Sequence, residues 1–170
     1  MPISGCYLIT AKGAKGGDFI NEEHEIFPGG RGALVEMKLC SLLAGERLTI
    51  IVGQAGTNGK GAGGGGGASF VYNEVKEPAV LYLAAGGGGG NTPFRSQYNN
   101  SGGLDGQSGQ DGEKTPNNGG KNGNGGSFSP DNPNSAGAGA GWLSSGKTGS
   151  KGNPGHSRRE GNLISVFCLN

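Results

Sequence analysis

No stretch of 18 apolar residues occurs anywhere in the 170-residue sequence, so nothing in it spans a bilayer as a helix. The opening Met1-Pro-Ile-Ser-Gly-Cys6 lacks a basic start followed by a long apolar core, and no secretory signal is visible there. Excess charge is missing too: the net is +1, which gives no strong pull toward nucleic acid or an acidic membrane face. Histidine is scarce. His24 and His156 are the only two, and neither has a Cys or acidic partner at metal-ligand spacing, so both read as loop residues. No Ser/His/Asp or Cys/His arrangement can be assembled from so few candidates, and Glu22, Glu23 and Glu25 read as a solvated loop. Catalysis by this chain is therefore not expected, and no cofactor or metal is implied. Three cysteines, Cys6, Cys40 and Cys168, are too few and too scattered for a disulfide framework. Their odd number leaves at least one thiol free or paired outside the chain. Helical periodicity of ten or more residues is absent as well, and each glycine would cost a helix roughly 1 kcal/mol.

What the chain has is glycine. Its 40 glycines and 8 prolines pass the roughly one-quarter share at which low complexity or disorder becomes the default. The stretch Gly63 to Gly90, however, reads GGGGG-ASFVY-NEVKEP-AVLYLAA-GGGGG. A flexible linker would not carry Phe70, Val71, Tyr72, Val80, Leu81, Tyr82 and Leu83 between its glycines. The segments Ala68–Tyr72 and Ala79–Ala85 read as a hairpin or two neighbouring strands joined by the polar Asn73–Pro78. The bracketing glycines Gly63, Gly64, Gly65, Gly66, Gly67 and Gly86, Gly87, Gly88, Gly89, Gly90 are then structural.

Earlier in the chain, residues 3–12 have β-type composition, with Cys6, Leu8 and Thr10 on one face and Tyr7 and Ile9 on the other. Residues 18–28 read as a polar, acidic loop. Ala33–Leu43 alternates, Leu34, Glu36 and Lys38 against Val35, Met37 and Leu39, which suits a half-buried strand. A tight turn at Ala44–Arg47 leads into Leu48–Val52. This amounts to about five strands before residue 86, spaced as in a small β-sandwich.

From Asn91 to Ser157 the composition shifts to Gly, Asn, Ser, Lys and Pro. Glycine recurs at every third position in Gly103, Gly106, Gly109, Gly112, in Gly120, Gly123, Gly126, and in Gly146, Gly149, Gly152, Gly155. A period of three matches the left-handed extended helix, not a strand or an α-helix. Three explanations compete: a collagen triple helix, for which the triplets are few and poor in proline; solvated disorder; and polyglycine-type helices packed side by side. The last must offset about 1–2 kcal/mol of backbone entropy per ordered residue with backbone hydrogen bonds worth about 0.5–1.5 kcal/mol each. It is plausible only with many neighbours and a β-core as anchor. The apolar segment Asn162–Leu169 is a candidate closing strand.

Gly141-Trp-Leu-Ser-Ser-Gly146-Lys147-Thr148 fits the phosphate-loop pattern literally, but its flanks can be neither the strand nor the helix that chemistry needs. Gly29-Gly-Arg-Gly32 is a poor case for RNA binding. Asn99-Asn100-Ser101 is an N-glycosylation acceptor at Asn99 if the chain is secreted. Trp142, the only tryptophan, reads as an anchor for the glycine-rich part, with ligand contact as the other reading.

Several stretches together resemble the glycine-rich extracellular domain of the anaplastic lymphoma kinase and leukocyte tyrosine kinase receptors. They are Ser4–Gly17, Gly30–Leu34, Leu48–Gly56 (LTIIVGQAG), Gly63–Tyr72 (GGGGGASFVY) and Ala79–Gly90 (AVLYLAAGGGGG). The Asn99 acceptor and the GAGAGW of 137–142 follow in the same order, and coverage is roughly residues 3–145. The resemblance implies an all-β fold with an irregular extension: a tumour-necrosis-factor-like β-sandwich plus a lobe of packed left-handed polyglycine helices. On that reading residues 1–157 form one composite domain, β-rich over 3–85 and glycine-rich over about 86–157, and 158–170 is a divergent tail or closing strand. It implies an extracellular receptor module that binds a small basic cytokine, with receptor dimerisation, no nucleic acid and no membrane insertion by this chain. A full-length relative would be a receptor tyrosine kinase. Lys147–Asn170 departs from the family pattern, and the strand expected before Ile3, the epidermal-growth-factor-like module, the membrane helix and the kinase are missing, as in a fragment, a truncated gene product or a stand-alone relative. The family's acidic ligand contacts lie mostly beyond the match; Glu22, Glu46 and Glu74 are the candidate acids here. The alternative from another class is a structural or adhesive glycine-rich protein such as a fibre-tip adhesin.

Overall fold

A computed structural model of the chain describes residues 1–73, 75, 78–92, 105, 120–127 and 135–151. The fold is all-β, with no helix among these residues. Seven strands follow in order: β1 (Gly5–Lys12), β2 (Phe19–Ile20), β3 (Ile26–Phe27), β4 (Leu34–Leu42), β5 (Thr49–Ile51), β6 (Ser69–Asn73) and β7 (Val80–Ala85). β1 pairs with β4, β2 with β3, and β5-β6-β7 form a three-stranded sheet, all antiparallel.

The two longest strands show the expected alternation. Cys6, Leu8 and Thr10 of β1 face solvent, while Tyr7, Ile9 and Ala11 turn toward the core. In β4, Leu34, Glu36 and Lys38 are exposed and Val35 and Leu39 point inward, but Met37, expected inward with them, is exposed. A register shift then intervenes: Tyr7 faces Leu39, but Gly5 faces Leu42. The extra residue in β4 is a bulge, and it re-aims the strand so that Leu42, three residues after Leu39, is buried as well.

The three-stranded sheet is covered on both faces, which explains why every residue of β6 is buried. On one face Val71 and Leu83 meet Leu39, Leu42, Leu48 and the inward side chains of β1. On the other, Ile51, Phe70 and Tyr72 pack with Leu81, Ala84, Ala140 and Trp142. The hairpin read between Ala68–Tyr72 and Ala79–Ala85 is thus present as β6–β7. At Leu43–Glu46 the chain reverses tightly, with Gly45 at φ +81° and a bond from the Glu46 N–H to the Leu43 carbonyl at 3.0 Å. A side chain at that φ would be strained.

Two features differ from the sequence reading. Residues 18–28, read as a loop, contain the short β2–β3 hairpin. Phe19 stacks on Phe27 at 5.6 Å, and Asn21 and Glu25 close the turn through backbone and side-chain bonds. The cysteines, read as too scattered for a framework, do supply one bridge, Cys6–Cys40, because β1–β4 pairing brings those two positions side by side. Cys168 lies outside the described residues, as do Glu74, Asn99, His156, the Gly103–Gly112 triplets, Gly152, Gly155 and the 162–169 segment.

Candidate functional site: a stack of glycine backbones

Glycine-rich segments adjoin the strands: β1 leads to 13–17, β5 to 53–57 and β7 to 86–91, while 28–33 leads into β4 and 62–67 into β6. These segments lie against one another and bond through their backbones. The N–H groups of Gly13 and Gly16 donate to Ala33 and Gly30, at 2.9 and 2.8 Å. Those of Ala14 and Gly17 reach Gly67 and Gly64, at 3.0 and 2.8 Å. Gly63 and Gly66 donate to Asn91 and Gly88, and Gly64 and Gly67 to Thr57 and Gln54. Partners recur every three residues along each segment, and a segment such as 62–67 is bonded to several others. A strand bonds in its own plane to two neighbours at most; here bonds leave in more directions than a sheet allows.

Glycine is required for the close approach itself. A Cβ placed on Gly13, Gly16, Gly63, Gly66, Gly87, Gly88 or Gly90 would lie closer than 3.0 Å to a neighbouring backbone carbonyl. Gly63 to Gly67, singled out in the sequence, are all buried, and Gly87 and Gly88 are buried likewise. The sequence placed the packed glycine backbone at about 86–157. Among the described residues it also takes in 13–17, 28–33, 53–57 and 62–67, and beyond residue 91 it continues through 135–141. Gly137 and Ala140 donate to Gly63 and Gly66. Trp142 follows at once, edge-on to Phe70 at 5.1 Å and Tyr72 at 5.2 Å, so it ties this segment to the sheet.

Polar side chains clasp the stack at its margins. Asn91 is almost fully buried; its amide donates to the Pro28 carbonyl at 3.0 Å, and its oxygen accepts the Thr92 N–H at 2.7 Å. The Ser69 hydroxyl accepts the Gly53 N–H at 3.0 Å and donates to the Lys12 carbonyl at 2.6 Å. Asp18 joins three segments: its carboxylate accepts from Lys15 and from the Gly29 N–H, and its own N–H donates to Asn58. Partial burial pushes the Asp18 carboxyl up, but the Lys15 and Gly29 hydrogen bonds and the Lys15 charge outweigh it and hold the group below its ordinary value. Sequence reasoning missed Asp18, Asn91 and Ser69, because each sits at the end of a glycine run with no pattern of its own.

The candidate acids separate. Glu46 is committed internally: it accepts from Asn73 and Tyr82 on one oxygen, at 2.9 and 3.0 Å, and from the Leu43 N–H on the other, at 3.1 Å. Glu22, Glu23 and Glu25 are exposed at the β2–β3 turn beside His24, whose φ is +64°. No cluster of three or more His, Cys, Asp or Glu suited to a metal exists among the described residues, and none of their helices could cross a membrane, since there are none. The phosphate-loop lookalike at 141–148 has, among the described residues 135–151, neither a strand before it nor a helix within or after it. Instead the Gly141 N–H donates to Ser144 and the Lys147 N–H to Gly126, while Gly146 packs against the Ala138 carbonyl too closely for a Cβ.

No curated protein matches the chain in sequence. A family model described as a glycine-rich domain matches residues 5–166, a span that holds every strand and every stacked segment described above. The chain is a member of this glycine-rich domain family.

Proposed function

We propose that this chain is an extracellular ligand-binding module of the kind carried by anaplastic lymphoma kinase and leukocyte tyrosine kinase receptors. Its stacked segments are left-handed polyglycine helices, held by a tumour-necrosis-factor-like β-sandwich. The three-residue recurrence of inter-segment hydrogen bonds supports the helix reading, since that helix has three residues per turn. The Cys6–Cys40 bridge supports an oxidising, extracellular setting, where disulfides persist. One observation carries the binding role: the acidic turn Glu22–Glu25 is exposed and is anchored to the stack. The Ile20 N–H donates to Gly59 at 3.0 Å, and Asp18 fixes the turn's base. Rigid display of carboxylates suits a small basic protein ligand, whose capture would draw two receptors together.

A fibre-tip or adhesive role is the second reading. It is favoured by the segment after β5, where Val52, Gln54, Ala55 and Thr57 are exposed to solvent.

Sequencing the parent transcript past Asn170, with sedimentation of the purified chain, separates the two. The receptor reading expects an apolar span of about 20 residues followed by a kinase, and a monomeric module. A transcript without such a span on any spliced form, together with a stable trimer, would overturn it in favour of the adhesin.

A further inference from the structure

The Cys6–Cys40 bridge lies on the solvent-facing side of the β1–β4 ribbon, and both half-cystines are exposed. It sits where the ladder is interrupted: Cys6 lies between the Gly5–Leu42 and Tyr7–Leu39 pairs, opposite both Cys40 and Ser41. Regular bonding is locally lost at such a bulge, so the covalent link stands in for it. On one side of the bridge, the chain end covers the core. Met1 is buried with Leu42 and Leu48, its carbonyl accepts the Gly45 N–H, and Ser4 accepts the Ala44 N–H. On the other side, β1 runs into the stack at Gly13, where the backbone is bonded on several sides.

We propose that this bridge is a redox-operated latch on the ribbon's outer end. A dithiol reductant opens residues 1–9 and 37–45 locally while the glycine stack stays closed. One thiolate of the reductant attacks an exposed cystine sulfur; the S–S bond breaks, a mixed disulfide forms, and the released cysteine thiolate takes up a proton. The second thiol of the reductant then displaces the other cysteine and closes its own disulfide. Two electrons pass from the dithiol to the protein, giving two cysteine thiols. Opening uncovers the apolar side chains of Leu39, Leu42 and Leu48, which are otherwise buried.

The test treats the intact chain with dithiothreitol and no denaturant. It maps alkylated cysteines by peptide mass and follows amide exchange. The expected result is full reduction of Cys6 and Cys40, with exchange at least tenfold faster at Tyr7–Ile9 and Met37–Leu42 and unchanged at Gly63–Gly67 and Gly86–Gly90. A bridge that resists reduction until the whole chain unfolds overturns the proposal. So does exchange that rises equally in the stack, or nowhere. The double variant Cys6→Ser/Cys40→Ser is expected to show the reduced pattern without reductant; wild-type protection in that variant would also refute the latch.

Discussion

The carbonyl oxygen of Gly66 occupies the space in which a side chain on Gly87 would begin. A Cβ there would lie closer than 3.0 Å to that oxygen and to its carbonyl carbon, and both are backbone atoms with no rotamer by which to retreat. The neighbouring Gly66 N–H in turn donates to the Gly88 carbonyl at 2.7 Å. Contact and hydrogen bond together set the spacing of the two segments.

The Gly87→Ala variant is therefore expected to lose stability at or above the upper end of the usual overpacking range, about 3 kcal/mol. Gly5→Ala is the control. A Cβ at Gly5 meets nothing within 4 Å, and its φ is not positive, so alanine there should be neutral or stabilise by about 0.5 kcal/mol through the unfolded state. Urea denaturation of the two variants measures the contrast, and similar midpoints would show that the stack tolerates side chains.

Asp18 gives the stability a pH dependence of definite sign. Its carboxyl is held below the ordinary value in the folded chain, so it stabilises the fold once pH exceeds the unfolded-state value. That contribution is lost as pH falls through the lowered folded-state value. The stability difference between wild type and Asp18→Asn should be greatest above about pH 5 and shrink below about pH 4. Denaturation midpoints of both proteins across that window check it.

Trp142 is expected to couple the stack to the sheet. Replacing it by alanine removes edge-on contacts with both Phe70 and Tyr72 and should cost about 3 kcal/mol. Amide exchange should rise first at Gly137 and Ala140, whose N–H groups donate to Gly63 and Gly66.

Much of the sheet was legible because alternation is a local signal. Leu34, Glu36 and Lys38 point outward and Val35 and Leu39 inward, as their spacing requires. The β6–β7 hairpin was marked by its apolar runs and by the glycines around them. The β2–β3 hairpin was not, since Asn21-Glu-Glu-His-Glu25 reads as solvated chain and only Phe19 and Phe27, eight positions apart, betray the pairing. The Cys6–Cys40 bridge depends on a bulge whose position no sequence pattern fixes. The extent of the stack was hidden for another reason. Only the residue facing a neighbour must be glycine, so Lys15, Arg31 and Gln54 can interrupt the run without leaving the stack.

Because segments 13–17, 53–57 and 86–91 follow β-strands, the three-residue phase of their contacts is set at the strand end and carried outward like a reading frame. Adding one residue within Gly86–Gly90 would rotate every later position off its contact, placing Asn91 away from Pro28. Adding three would restore the phase. Length variation in such segments should therefore be tolerated in steps of three, a constraint on how sequences of this kind can grow and shrink.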